Sequence, residues 1–379
     1  MRGGFGIGQQ WVPELGCPAR GDDGARRGAD EGRRSMSARV AMIAAALVVG
    51  TVGLAALVAA VLLAPLDETQ REDFDPTRGR EALPSPESEP SGEPAPPARA
   101  DEEGPYRFAE AFESFLVLGS DAQDGFAGAR ADVIIVGLLP ADDPAPILFS
   151  IPRDLWVPDR CRGGMTRINA GLNGCGSHTS GPELTAIMVE DLTGIPIDHY
   201  AKVDFEGFTE VIDALGGVEI CNDHPVRDEK AELDLPAGCL DADGEDALAW
   251  VRSRRTLRLV DGTWRMKPGV SDLSRNERQQ EVVLQALERL SSFRSVGQVR
   301  ALGRGIAGSI TVSETLSATD LARIAWSLRD LEREDVQRLR IPVEPHVTSA
   351  GAQVLASVEP FEETFVREVP EGAELLAGR

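Results

Sequence analysis

Residues able to do ionic chemistry gather in two stretches of the 379-residue chain. In the first, three short apolar runs each begin or end at charge. Asp121 follows FLVLG in LGSDAQDG, Asp132 opens RADVIIV, and Arg153 with Asp154 follows ILFS in FSIPRDLW. In the second, WVRSRRT supplies Arg252, Arg254 and Arg255, and SRNERQQEVV supplies Arg275, Arg278 and Gln279. Guanidinium forks bind phosphate oxygens bidentately and keep their charge. Two carboxylates can hold Mg²⁺ (or Mn²⁺), which bridges and neutralises phosphate oxygens. The inventory fits a pyrophosphate. Abundant arginine explains Arg289, Arg294 and Arg340, but not the gathering around SIPRD and VRSRR.

The elements that must position these groups alternate in type. Phe115–Gly119, Val133–Leu139 and Pro146–Ile151 are apolar runs bounded by turn residues, which predicts buried strands. His199–Val203 and Val218–Cys221 are further predicted strands. Ser180–Asp191 opens with a cap signal and has helical spacing of Leu184, Ile187 and Met188. Phe205–Leu215 puts Phe208, Val211, Ile212 and Leu215 on one face, and Gly216-Gly217 stops it. Glu245–Val251, Arg275–Leu290 and Thr319–Arg329 are predicted helices. Arg275 and Gln279 are four apart and share a helical face. Arg278 also lies about a turn from Arg275, with an outward direction open to it. Such alternation argues for a layered α/β domain, whose sites form at strand ends near a crossover.

The rest of the chain predicts where this domain sits. Val40–Ala64 reads VAMIAAALVVGTVGLAALVAAVLLA, without charge, and about 20 apolar residues span a bilayer. A cleaved signal peptide would have a shorter apolar core, about 7–15 residues. Arg33, Arg34 and Arg39 precede the span, while Asp67, Glu68, Glu72 and Asp73 follow it. The positive-inside rule then puts the N-terminus in the cytoplasm and the domain outside the cell. The start of translation, Met1 or Met36, bears on that flank. The predicted division is a tail over 1–39, a transmembrane helix over 40–65, and a flexible Pro- and Glu-rich linker over 66–104. A catalytic domain over 105–345 and a C-terminal extension over 346–379, open to packing on that domain, follow. The net charge of −23 and the absence of a basic stripe exclude nucleic acid as a natural partner. Four cysteines lie beyond the span: Cys161, Cys175, Cys221 and Cys239. In an oxidising compartment they predict two disulfides. Three pairings are possible; proximity in sequence selects 161 with 175 and 221 with 239. No CxxC and no histidine at ligand spacing point to zinc, and no GxSxG points to an esterase.

In order and spacing, FLVLGSDAQDG, ARADVIIVGLLP, ILFSIPRDLWV, TRINAGLN, SGPELTAIMVEDLTGIPIDHYAKVDFEGFTEVIDALGGVEI, LPAGCLDADGEDALAWVRSRRT and SRNERQQEVVLQAL resemble the LytR–CpsA–Psr family of cell-wall glycopolymer transferases. IPRD alone is a weak signal; the series behind an N-terminal anchor is specific. The resemblance covers about Phe115 to Leu290 and is loose beyond.

The resemblance implies a three-layer α/β/α sandwich with a central mixed sheet and a lipid-holding tunnel. The implied reaction transfers a polyprenyl-pyrophosphate-linked glycan to peptidoglycan as a phosphodiester and releases polyprenyl phosphate. The implied partners are that donor, the peptidoglycan acceptor and membrane lipid. Asp121 and Asp132 resemble the family's metal-binding and catalytic aspartates, and the implied ion is Mg²⁺ or Mn²⁺. Arg153, Arg252, Arg254 and Arg275, with Gln279, resemble its pyrophosphate-binding set; Arg153 and Arg254 are the catalytic arginines. Phe205, Phe208, Val211 and Leu215 could line the tunnel, though ordinary core is the expected fate of such a face. The chain departs from the family pattern at Gln123 (often arginine), Val133 (usually threonine) and Arg167 (commonly lysine). Two alternatives use the same features: a pyrophosphatase releasing the glycan to water, and a non-catalytic glycan-binding or regulatory membrane protein. The polymer, the lipid length, the general base and the oligomeric state are not written in the sequence.

Overall fold

The computed structural model describes residues 70–83, 112–120, 130–140, 146–268, 272–291, 310–317, 320, 323–324 and 335–369. The expected membrane helix, Asp121, Gln123 and most of the expected helix Thr319–Arg329 lie outside them. The described residues contain no helix long and apolar enough to cross a membrane.

Seven strands form one mixed sheet. They are β1 (Gln70–Glu72), β2 (Phe112–Ser120), β3 (Ala131–Pro140), β4 (Ile147–Ser150), β5 (His199–Val203), β6 (Ile310–Ser313) and β7 (Gln337–Arg340), in spatial order β1-β6-β5-β2-β3-β4-β7. The β2–β3 and β3–β4 pairs are antiparallel, while β5 joins β2 in parallel. Alternation along β3 sends Ile134, Val136 and Leu138 into the main core and Ile135 into a cluster on the opposite face. The sheet is thus apolar on both faces, which requires cover on both.

Six helices are described: α1 (Pro76–Ala82), α2 (Gly181–Thr193), α3 (Phe205–Ala214), α4 (Gly244–Arg252), α5 (Asp272–Ser291) and α6 (Phe361–Glu368). On the main-core face, α2 contributes Leu184 and Ile187, and α6 contributes Phe361 and Phe365. On the other face, Leu284 of α5 packs against Ile135 and Leu148. A capping box starts α2: Ser180 accepts from the Glu183 N–H, and the Glu183 carboxylate accepts from the Ser180 N–H. Gly194, in the left-handed region at φ 77°, ends it.

A third apolar cluster, centred on Ile212, Val218, Leu233 and Val251, joins α3 and α4 to short antiparallel strands over 218–242. Two contacts fix α4 against α3. Asp213 Oδ1 accepts from the Gly244 N–H at 2.7 Å. A Cβ on Gly244 would lie 2.3 Å from the Thr209 carbonyl oxygen, so only glycine permits the approach. Cys161 is bonded to Cys175 and Cys221 to Cys239.

One expected boundary is corrected, and the other end of the domain is extended. Residues 70–83 are not flexible linker: β1 pairs with β6, Gln70 opposite Thr311, and Phe74 is buried against Tyr200. Arg80 on α1 binds Glu190 at 2.8 Å and Asp191, both on α2. The Pro-rich composition hid a short segment whose partners are more than a hundred residues away. At the other end, residues 346–369 pack on the domain, the arrangement open to the C-terminal extension. Phe361 and Phe365, one helical turn apart, complete the main core, so the domain does not stop at 345.

Candidate functional site

Asp132 is the second residue of β3, and Arg153 follows the end of β4. Antiparallel pairing brings these strand ends together, with Ile135 opposite Ser150. The Arg153 guanidinium donates through Nη1 to Asp132 Oδ1, and the pair is only partly exposed. Asp154 flanks it, with its Oδ2 3.5 Å from Arg153 Nε and its Oδ1 3.2 Å from Arg167 Nε. The Arg153 carbonyl accepts from the Asn169 N–H at 3.2 Å, which anchors the backbone.

Asp132 also borders a cavity of about 420 Å³. Its apolar walls come from Val133 and Ile135 of the sheet, Phe205 and Phe208 of α3, Leu248 of α4 and Val283 of α5. Four further expected residues border it: Arg252, Arg254, Arg275 and Gln279. Arg275 is 3% exposed and Gln279 7%, so these are groups held inside the protein rather than solvated surface charge. The Arg252 guanidinium lies 4.4 Å above the Phe205 ring centre, a cation–π contact that orients it. Gln279 Nε2 donates to the Val251 carbonyl at 3.5 Å, linking α5 to the end of α4. Arg153 is not among the lining residues and reaches the cavity through Asp132. Of the face expected to be core, Phe205 and Phe208 line the cavity, whereas Leu215 is buried.

Sequence reasoning missed Asp228, which also borders the cavity and is 4% exposed. Its Oδ2 accepts from the Ser253 hydroxyl at 2.8 Å and the N–H groups of Arg254 and Arg255 at 3.0 and 2.8 Å. Its Oδ1 accepts from the Lys230 N–H at 3.2 Å. Burial alone would raise the Asp228 carboxyl. The bonds from Arg255, Ser253, Lys230 and Arg254 outweigh it and hold the group below the ordinary carboxylate range. One carboxylate thereby shapes the turn that carries the arginines. No local pattern around VRDEK announces this, because its partners lie 25–27 residues downstream.

Arg278 points neither outward nor into the cavity. It donates to the Trp250 carbonyl at 2.6 Å and to the Ser253 carbonyl, and its guanidinium lies 4.8 Å from the Trp250 ring centre.

The residues about the metal reading are hard oxygen donors. Ser120 ends β2 opposite Ala131, the residue before Asp132. Asp121 is next in the chain after Ser120. Among the described residues no three His, Cys, Asp or Glu side chains form a metal-binding group. Mg²⁺ commonly uses only one or two carboxylates and completes its shell with water and phosphate oxygens. Asp132 suits that role.

Comparison with known proteins bears on the whole arrangement. The chain is 33% identical over 237 residues to the "Probable cell wall biosynthesis protein LcpB" of Corynebacterium glutamicum, covering 57% of this chain and 52% of that protein. It is 33% identical over 186 residues to the polyisoprenyl-teichoic acid–peptidoglycan teichoic acid transferase TagU of Oceanobacillus iheyensis, covering 48% and 53%. The chain spans about half the length of the curated relatives it matches. Among solved structures, a LytR-Csp2A-Psr enzyme from Actinomyces oris superposes with a TM-score of 0.57 at 24% identity, over 80% of this chain and 97% of that one. Bacillus subtilis TagV superposes at 0.56 with 23% identity, over 71% and 99%. These likenesses show a shared α/β fold. Residues 101–365 match the model of the LytR_cpsA_psr family, and the chain belongs to that family.

Proposed function

We propose that the protein transfers a glycan from a polyprenyl-pyrophosphate carrier to peptidoglycan. One observation carries the reading: a cavity with apolar walls is bordered by Arg252, Arg254 and Arg275, with the Arg153–Asp132 pair at its edge. Apolar walls suit a polyprenyl chain, and fixed arginines suit the pyrophosphate joined to it. The names of relatives such as TagU agree in chemistry.

In this reading an acceptor hydroxyl forms a bond to the glycan-side phosphorus and loses its proton to solvent water. The bond to the bridging oxygen breaks, and polyprenyl phosphate leaves. Phosphoryl transfer asks little covalent work of a protein; positioning and charge neutralisation carry it. Arg252, Arg254 and Arg275 hold the pyrophosphate oxygens, and Gln279 orients them. Arg153 stabilises the charge that builds on the transferring phosphoryl group and fixes the Asp132 carboxylate. Asp228 positions Arg254 through the backbone. Asp132 and Asp121 would hold Mg²⁺ or Mn²⁺, which supplies further neutralisation of phosphate charge when bound.

The proposed setting is a three-layer α/β/α domain outside the cell, behind a single membrane helix over 40–65 with residues 1–39 in the cytoplasm. The two disulfides support an oxidising compartment. The test supplies the full chain in detergent with a short-chain polyprenyl-pyrophosphate glycan, Mg²⁺ and peptidoglycan strands. Linked product should form with wild type and fall about a hundredfold or more in Arg153→Ala and Asp132→Ala. Product formed equally by both variants would refute the site assignment.

A further inference from the structure

A second hollow borders α5. Arg275, Gln279 and Val283 face the cavity. Ser274, Arg278, Glu281 and Gln285 face a groove of about 800 Å³. Ser274 and Arg278 each precede a cavity residue by one position, roughly 100° around a helix. Ser150 and Pro152 also line the groove, and Arg153 is the next residue in the chain. Gln280 Nε2 donates to Ser150 Oγ at 3.0 Å, tying α5 to the end of β4 there. The groove therefore reaches the residues just before Arg153, on a face of the helix adjacent to the one that borders the apolar cavity.

Its chemistry differs from that of the cavity. Trp250 lies in it, with the Arg278 guanidinium 4.8 Å and Lys267 Nζ 5.2 Å from the ring centre. Arg278 bonds to carbonyl oxygens of Trp250, Ser253 and Ser274. Burial pushes Arg278 down to about 10, with Asp228 offsetting only part of it. Lys267 is also pushed down, first by burial and then by Arg278, with Asp223 offsetting part of it. On the opposite bank, by contrast, Arg338 and Arg340 are neutralised by Glu281 and Glu277. Past Lys267 and Cys221 the groove continues into a smaller hollow of about 250 Å³. There Asn222 is 6% exposed and neither atom of its amide has a hydrogen-bond partner. A groove of mixed polar and apolar lining that opens into a second hollow, with an aromatic side chain, an unsatisfied amide and two partly buried cations, suits a chain of hydroxyls and amides that carries carboxylates.

We propose that this groove binds the acceptor, a glycan strand bearing carboxylate-containing peptides, with Lys267 and Arg278 meeting its carboxylates. The inference rests on the transferase reading for the acceptor's identity and adds the place where it lies. Donor and acceptor then flank α5 and meet at its Arg275–Gln280 turn, next to Arg153.

The test measures binding of soluble, undecorated peptidoglycan strands to the full chain in detergent, beside binding of a short-chain polyprenyl pyrophosphate. Lys267→Glu should weaken strand binding about tenfold or more, because a charge-assisted contact becomes a repulsion. Asn276→Trp, which obstructs the groove without altering charge, should weaken it as well. Both variants should bind the polyprenyl pyrophosphate as wild type does, which also reports their folding. Asp132→Ala should keep strand binding. Unchanged strand binding in both groove variants would overturn the proposal. The two readings separate in the transfer assay. If wild type binds strands through Lys267 but never forms linked product, the transferase reading fails and the groove stands. If wild type forms product and both groove variants keep its KM for the strand, the groove fails and the transferase stands.

Discussion

Asp228→Ala should damage the protein out of proportion to a single carboxylate that faces no expected chemistry. The Ser253 hydroxyl and the Arg254 and Arg255 N–H groups would lose their shared acceptor, now at 2.8–3.0 Å. Bonds to a charged acceptor contribute about 1.5–3 kcal/mol each, and donors left buried add to the loss. All three share one oxygen, so their contributions do not sum, and the expected destabilisation is about 3–5 kcal/mol. In a domain of this size each kcal/mol moves the midpoint by roughly 2–4 °C, so Tm should fall by roughly 6–20 °C. Asp228→Asn keeps an acceptor oxygen but not the charge. Neutral bonds are about half as strong, so about half the loss should remain. Donor binding should weaken in parallel, because the backbone of Arg254 is no longer fixed. Thermal unfolding and titration with a short polyprenyl pyrophosphate measure both. An Asp228→Ala protein with unchanged Tm and donor affinity would refute the positioning role, as would an asparagine variant as damaged as the alanine one.

Other expectations follow from the same contacts. Arg80→Ala leaves Glu190 and Asp191 without this cation and should lower stability by about 3–5 kcal/mol, read from denaturant midpoints. A chain shortened to begin near Tyr106 should lose at least as much, since it also lacks β1 and Phe74. Val283→Trp projects into the cavity and should weaken binding of a long polyprenyl pyrophosphate far more than that of inorganic pyrophosphate, measured by calorimetry. The Asp228 carboxyl is held low in the folded protein, so its contribution is complete above pH about 4 and is lost as pH falls through the folded value. Unfolding curves at descending pH should therefore show a smaller acid loss in Asp228→Asn than in wild type. Reducing both disulfides should lower stability by about 3 kcal/mol for each loop, seen as a shift of the unfolding curve with reductant.

Much of the fold was legible because its signals are local. The apolar runs at FLVLG and VIIVGLL became β2 and β3, and the cap signal at Ser180 became a capping box. His199–Val203 is a strand over those very residues. The losses are equally physical. Three-residue strands such as Gln70–Glu72 and Val226–Asp228 are too short to carry a period, and the partner of the first is more than two hundred residues away. Of the expected site, Asp132, Arg252, Arg254, Arg275 and Gln279 border one cavity, and Arg153 is hydrogen-bonded to Asp132, where charge beside apolar runs had pointed. Spacing could not say which way Arg278 turns, because adjacent faces of α5 each border a hollow. Composition could not flag 70–83 as folded, because Arg80 draws its worth from two carboxylates on α2.

Transfer to peptidoglycan is decided by the fate of one phosphorus atom. The donor would carry a radiolabel on the glycan-side phosphorus of its pyrophosphate and be given to the full chain with peptidoglycan strands. Labelled peptidoglycan and unlabelled polyprenyl phosphate are expected, with the labelled linkage lost in Arg153→Ala. Label recovered only as free glycan phosphate in solution, or left on the lipid, would contradict that transfer.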